Sequence, residues 1–418
     1  MAIHVVSKDD NNITATFPYN EPLPALAKSS VRVKTDFIAI TSNNLSYARS
    51  GTLLHWWDIY PVPSKAPAPY HNNDEWGIVP AWGYGEVIES NIEEIKVGSS
   101  LFGFWPTSSY PVDLNLKPWK ITGHWSEVSK HRQKAMTLYN RYNEVKSRPS
   151  NLDRALMSAV QVVYQCGYLL NSATFPSKAG AVALHPLGVG LEWTADDADL
   201  SSAVVISLAA ASKTARSLAW SLARDRDPSS NTPLGLLQAT TNTSNLVTFP
   251  ESSLNIYNTA YGELSSLGTL DWITKLNPSR FVLLDFGTAD ALLQSLHTTL
   301  SSKFPQVSIA TFAVGGESKV YTSQEMQRYV ATGQKLQKIQ VNTSTLRDLA
   351  IETAGDPAKW FDDFDEAWDR CVKEGGIGAV EVLERKGVAG ADGIEGAWKE
   401  VGQGKVRGDQ CLVVHVQA

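Results

Sequence analysis

From Asn151 onward the apolar residues fall into two alternating rhythms. "LDRALMSAVQVVYQCGYLL" spaces them three and four apart, which predicts a helix. Then "AVVISLA" predicts a strand and "SKTARSLAWSLARD" a helix. "LGLLQAT" reads as a strand, "ELSSLGTLDWIT" as a weak helix, and "RFVLLDFG" as a strand. "TADALLQSLHTTLSSKF" is a further helix and "VSIATFAVGG" the last strand, while "DRDPSSNTP" at 225–233 reads as a surface turn. Strands that are apolar throughout and alternate with helices imply a parallel sheet covered on both faces. Residues 151–325 therefore read as a doubly wound, Rossmann-like nucleotide-binding domain.

Residues 1–150 carry a different pattern. "HVVSKD", "ITATFPY", "SVRVKTDFIAI", "WGYGEVIES" and "SLFGFWP" are short, β-branched or aromatic, and separated by Pro, Gly and Asn. That predicts a small β-barrel-type domain, giving an α/β chain of two parts. Tryptophans and tyrosines crowd this region, Trp56, Trp57, Tyr60, Trp82, Tyr84 and Trp105 among them. They read either as barrel core or as the lining of a pocket for a flat, hydrophobic substrate. Residues 326–418 read as two acidic-basic helices and a closing strand, "DQCLVVHVQA", expected to return to the first domain's sheet.

Composition narrows the function. The chain has 418 residues, 43% hydrophobic and 19% charged, with a formal net charge of −6. It has no long basic block, so a nucleic-acid partner is not expected. Its 3 cysteines, Cys166, Cys371 and Cys411, are far apart, which argues for a reducing compartment and against a disulfide scaffold. Neither they nor the scattered histidines have metal-ligand spacing. The longest mostly apolar run, "ALMSAVQVVYQCGYLL", is short of the about 20 residues that span a bilayer. The opening "MAIHVVSKDDNN" lacks a signal-peptide layout. The expectation is a cytoplasmic protein with no membrane partner and no metal.

The turn after "AVVISLA" is where a doubly wound sheet binds anions, at a helix N-terminus. Glycines normally let a pyrophosphate approach the backbone there, yet Ala209, Ala210 and Ala211 stand in their place. Ser212 and Thr214 can cap the helix and donate to phosphate, and Lys213 adds charge. The turn is either a phosphate site remade with side chains or a plain N-cap. The loop after the next strand offers Thr240, Asn242 and Asn245 and no acid, so it would tolerate a 2′-phosphate and favours NADP(H) over NAD. Asp285 could bind a ribose or cap a helix, and Gly315 leaves room for a nicotinamide.

Together these pieces resemble the medium-chain dehydrogenase/reductase superfamily. The closing "GIEGAWKEVGQGKVRGDQCLVVHV" is similar to the way such reductases end. More narrowly, "ITSNNLSYARSG", "VPAWGYGEVIES", "LFGFWPTSSY", "HRQKAMTLYNRY" and the "SKTA" turn resemble a fungal and bacterial branch of unknown function. The resemblance implies a GroES-like barrel, a Rossmann domain and a homodimer. The superfamily's zinc-binding Cys and His pattern is missing, as is its glycine fingerprint.

In zinc-free members the protein orients a conjugated alkene for hydride transfer and supplies a donor or proton. The resemblance sets "SNNLSYA" where the barrel meets the cleft. Asn44 is then a candidate donor to a carbonyl, Tyr47 a candidate proton donor, and Ser46 a support for either. A turn built on Asn-Asn, with Tyr47 in the barrel wall, explains the same residues. Tyr139 and Tyr142, with Arg141 between them, are candidate clamps on a substrate, and Trp82 a candidate platform; a domain linker is the plainer reading of that stretch. No serine-nucleophile elbow or Walker motif is present. Three readings stay open: an NADPH-dependent enoyl or quinone reductase acting on a hydrophobic small molecule, possible substrates including secondary metabolites; a cofactor-independent isomerase, cyclase or dehydratase on that scaffold; and a non-catalytic binding protein.

Overall fold

The computed structural model describes residues 1–145, 149–178, 180–226 and 230–417. It divides into two compact units, Met1–Val162 with Ser318–Thr322 and Glu381–Ala418, and Val163–Glu317 with Ser323–Val380. The core of the expected turn at 225–233, residues 227–229, lies outside the described residues.

The first unit opens with β1 (Ala2–Ser7), β2 (Thr14–Pro18) and β3 (Ser30–Ala39). Helix α1 (Ser42–Arg49) precedes β4 (Trp76–Gly77), β5 (Ala81–Ser90) and β6 (Ser100–Trp105). Then come β7 (Val112–Pro118), β8 (His124–Glu127), β9 (Arg141–Glu144) and helix α2 (Asn151–Leu156). Strands β3-β5-β6-β9-β8-β7 are hydrogen-bonded neighbours, and β7 pairs back onto β3. The ring of six closes into a barrel, which removes the exposed edges an open sheet would present.

Large rings fill its interior because small residues face them. A Cβ at Gly103 would lie 2.3 Å from the Tyr142 ring, so glycine is what admits that ring. Arg32 crosses the wall and is held by Asp113, at 2.7 and 2.9 Å, and by Glu89. A bidentate pair of this kind fixes β3 against β7 as well as neutralising a buried charge.

The second unit begins with α3 (Val162–Leu169) and α4 (Ala195–Ala198). The helix predicted over 152–170 is continued between α2 and α3 by a π-helical turn at Met157–Gln161. Then β10 (Ala203–Leu208), α5 (Lys213–Arg224), β11 (Gly235–Thr240), β12 (Ile256–Ala260) and α6 (Leu267–Leu276) follow. They lead to β13 (Arg280–Asp285), α7 (Asp290–Lys303) and β14 (Ser308–Ala313). Helix α8 (Ser323–Lys335), β15 (Ile339–Gln340), α9 (Thr343–Ala354) and α10 (Pro357–Lys373) complete it.

The strands lie in the order β12-β11-β10-β13-β14-β15, all parallel. Counted within the unit this is 3-2-1-4-5-6, the doubly wound Rossmann order. Every residue of β10 is buried, as a strand covered on both faces requires. Val205, Leu218 and Phe312 fill one face, and Ile206, Phe281 and Leu296 the other. On α10, Trp360, Phe364 and Trp368 pack edge-on or tilted against Tyr164 and Tyr168 of α3.

Residues 323–380 thus lie in the second unit, where the sequence had assigned 326–418 to a returning segment. Only the end belongs to the first unit, as β16 (Glu381–Lys386), α11 (Ile394–Gly402) and β17 (Gln410–His415). Strand β17 pairs antiparallel with β3, and β16 parallel with β17. Among the described residues no helix is long and apolar enough to cross a membrane.

His4 on β1 is fully buried, with Nδ1 2.9 Å from Thr16 Oγ1. Burial lowers its pKa to about 4, with Lys399 adding to the effect and Glu395 opposing it. The unfolded chain therefore binds this proton more readily, and stability falls as pH drops below the ordinary value of 6.5 toward 4. The expected loss from this group is roughly 2 kcal/mol between about pH 7 and about pH 4.5. Urea midpoints of the wild type and His4→Gln at the two pH values check it: the variant should lack that share of the pH dependence.

Candidate functional site

At the carboxyl end of β10 the chain turns through Ala209 and Ser212 into α5. Ala209 has φ of 55°, the left-handed region. Alanine there costs roughly 1–2 kcal/mol relative to the ordinary helical region. The turn keeps a path suited to glycine without having one. Several of its amides are already committed. The Ala209 N–H donates to the Tyr261 hydroxyl at 3.0 Å, the Ala210 N–H to the Ala239 carbonyl at 3.0 Å, and the Ser212 N–H to the Ala209 carbonyl at 2.9 Å. Ser212 Oγ accepts from the Ala215 N–H at 3.3 Å and so caps the helix. Lys213 and Thr214, both half-buried, open α5, whose N-terminus favours an anion.

Beside this turn, β11 ends in the buried Thr240, and Thr241 to Ser244 are exposed. Asn242 folds the loop by accepting from the Ser244 N–H and hydroxyl at 3.0 and 2.8 Å. The Asn245 carbonyl accepts from Arg216 of α5 at 2.8 Å. Asp285, at the end of β13, accepts from the amides of Gly287 and Thr288 at 3.1 and 2.9 Å. Its other oxygen pairs with Lys338 at 3.0 Å, and both side chains are 1% exposed. A Cβ at Gly315 would lie 2.9 Å from the Phe286 carbonyl, so the backbone occupies the room that glycine leaves. The donor set fits the phosphates of a dinucleotide: a helix N-terminus with Lys213 and Thr214, and a hydroxyl-rich loop with no carboxylate to repel a 2′-phosphate.

In the first unit, "SNNLSYAR" is a helix rather than a turn. Thr41 caps α1, accepting from the Asn43 N–H, while Asn44 Oδ1 accepts from the Thr41 N–H at 2.7 Å. Asn44 Nδ2 donates to the Pro80 carbonyl at 2.9 Å, so this buried amide serves the helix cap. Ser46 Oγ accepts from Arg49 at 3.2 Å. Tyr47 points elsewhere, into a cluster of rings with Trp56 at 4.8 Å, Phe104 at 5.0 Å and Tyr139 at 5.7 Å. Trp82 joins it, its Nε1–H donating to the Tyr47 oxygen at 3.1 Å.

Burial pushes the Tyr47 pKa up to about 12, opposed by hydrogen bonds from Trp82, Tyr139 and Asn43. Tyr47 is therefore a phenol at neutral pH whose oxygen is surrounded by groups that would support its anion. The structure brings together Tyr47, Trp82 and Tyr139. Tyr142 stands apart in the barrel interior, donating to the Phe104 carbonyl at 2.8 Å and accepting from Arg132 at 2.8 Å. Arg141 lies over the Trp119 ring.

Sequence reasoning missed Tyr261, Arg216, Lys338 and the place of Trp56. A short β-branched run, "IYNTA", precedes Tyr261 and was the one local signal for it. Among the described residues no group of three or more His, Cys, Asp or Glu side chains could hold a metal ion.

The family described as "Protein of unknown function (DUF2855)" matches residues 38–407, and the chain belongs to it. No curated protein matches the sequence. Among solved structures, CurA in complex with NADPH from Vibrio vulnificus aligns over 100% of both chains, with 10% identity and a TM-score of 0.53. A mutant form of the enoyl thioester reductase from Candida tropicalis aligns over 99% of both, with 11% identity and a TM-score of 0.50. The chain shares the fold of these structures, a GroES-like barrel with a Rossmann domain.

Two substitutions test the geometry of the sheet's carboxyl end. Ala209→Gly should stabilise by about 1 kcal/mol, read as a rise of a few degrees in melting temperature. Lys338→Met leaves Asp285 buried without its partner and should cost roughly 3–5 kcal/mol, read from the urea midpoint.

Proposed function

We propose that this member of the DUF2855 family is a zinc-independent, NADPH-dependent reductase of the enoyl or quinone type. Its substrate is a hydrophobic, aromatic or polyketide-like small molecule, such as a secondary metabolite, and the enzyme works as a cytoplasmic homodimer. The observation that carries the reading is the carboxyl end of the parallel sheet. There a helix N-terminus bearing Lys213 and Thr214 stands beside an exposed loop of hydroxyls and amides with no acid. The fold shared with CurA and the enoyl thioester reductase supports it.

NADPH, when bound, supplies a hydride to a conjugated alkene. Lys213 and the amides of the first turn of α5 would hold phosphate charge, and Thr241, Asn242, Thr243 and Ser244 would receive the 2′-phosphate. The aromatic cluster around Tyr47 takes the flat, apolar part of the substrate and excludes water from it. Tyr47 would donate a proton to a substrate held in that cluster. Trp82, Tyr139 and Asn43 support the phenolate left behind, so the transfer does not strand a naked anion in an apolar site. Zinc independence rests on the thiols. All 3 cysteines are buried, and burial raises the pKa of Cys166 to about 11. A thiol held protonated is a poor ligand.

One observation favours a second reading, a cofactor-independent isomerase or cyclase. The amides of Ala209, Ala210 and Ser212 are committed within the protein. On that reading Tyr47 does acid-base work alone, and turnover needs no NADPH.

Titration with NADPH, followed by tryptophan quenching with NADH as the control, separates the two. The reductase reading expects saturable binding that prefers NADPH, weakened about tenfold in Lys213→Ala by loss of a charged phosphate contact. Absence of binding into the millimolar range sinks it. Tyr47→Phe should lower turnover of an enone by about 10²-fold or more while leaving NADPH affinity unchanged. A fall in NADPH affinity instead would remove Tyr47 from the proton-donor role.

A further inference from the structure

The polar edges inside the aromatic cluster are unevenly used. The Trp82 N–H is committed to the Tyr47 oxygen, and the Tyr47 hydroxyl is shared with Tyr139 and Asn43. Trp56 is different. It is only 6% exposed and packs edge-on against Tyr47 at 4.8 Å and Tyr139 at 5.4 Å. Its Nε1–H is buried and has no acceptor among the described residues.

A buried donor without an acceptor costs about as much as a lost hydrogen bond, and an acceptor brought in by a ligand recovers that loss. Tryptophan is a donor only, so the group it would welcome is an oxygen lone pair, not another N–H. The indole also cannot change charge, so its preference does not depend on pH.

We infer that Trp56 is a specificity-determining residue that receives a carbonyl oxygen of the substrate. The inference rests on the proposal that the Tyr47 cluster is the substrate site, and it narrows the substrate class. The molecule taken there carries a carbonyl next to its flat apolar part, as an enone or quinone does. A hydrocarbon of the same shape fills the same rings and leaves the indole N–H unpaired, so the site discriminates between them. A preference follows, because a site built to hydrogen-bond one ligand loses that bond with the analogue that lacks it.

The test uses a matched pair of probes, benzalacetone and (E)-1-phenyl-1-butene, which share the phenyl-alkene and differ at the carbonyl. Calorimetric titration of the full chain measures both, for the wild type and for Trp56→Phe, which keeps a ring and removes the donor. The wild type should bind benzalacetone about tenfold more tightly than the hydrocarbon. In Trp56→Phe that ratio should fall close to one, with the hydrocarbon's affinity unchanged. A ratio that survives the substitution overturns the inference, as does an equal loss for both probes, which marks Trp56 as packing only. Failure of both probes to bind the wild type overturns it too.

Following NADPH oxidation with benzalacetone in parallel keeps the two proposals apart. Trp56-dependent binding without NADPH oxidation sinks the reductase reading and leaves this inference standing. Oxidation with an unchanged probe ratio in Trp56→Phe does the reverse.

Discussion

A carboxylate removed from water has to be matched, and at Asp285 the matching organises the end of the Rossmann sheet. One oxygen accepts from the Gly287 and Thr288 amides, and the other pairs with the buried Lys338. The Asp285 carbonyl accepts from the amides of Val314 and Gly315, and the Phe286 amide donates to the carbonyl of Leu208. Asp285 and its neighbour Phe286 thus tie together the ends of β10, β13 and β14 and the segment before β15. In a 3-2-1-4-5-6 sheet this is the switch point, where connections leave in opposite directions and a ligand can enter. Removing either charge would leave the other buried and unmatched, which is far costlier than losing a surface pair.

The turn beside that anchor follows a related economy. A glycine loop offers bare amides to a phosphate. Here the left-handed conformation survives at Ala209, but its amide meets the Tyr261 hydroxyl. On the reading proposed above, phosphate recognition would shift from bare amides toward the N-terminus of α5, Lys213 and hydroxyl side chains. In the first unit the same division of labour holds within the aromatic cluster. Rings supply apolar area; the Trp82 N–H meets the Tyr47 oxygen, and the Trp56 N–H meets no acceptor among the described residues.

Where periodicity and burial agree, the sequence is legible. The continuous apolar run of β10 and the alternation after it announce a parallel sheet, and the short aromatic strands announce a barrel. Strand β12 escaped because it is an edge strand, half-exposed and polar in part, and β15 because two residues carry no pattern. "SNNLSYAR" looked like a turn because Asn-Asn favours turns. The capping pair of Thr41 and Asn44 makes it a helix, and with that Asn44 acquires a structural role. Tyr139 and Tyr142 are close in sequence yet serve different environments, because β9 begins between them and sends Tyr142 into the barrel. Asp285 and Lys338 are far apart in the chain, and no local signal links them.

On the proposed reading, a turn without glycine still holds nucleotide phosphate. Phosphorus NMR of NADPH in the presence of the full chain tests it most directly, because the pyrophosphate and 2′-phosphate resonances report on their own surroundings. Both sets of lines should shift or broaden as protein is added and return when excess 2′,5′-ADP competes. Lines that stay at the positions and widths of free NADPH, at protein concentrations in the millimolar range, would contradict it.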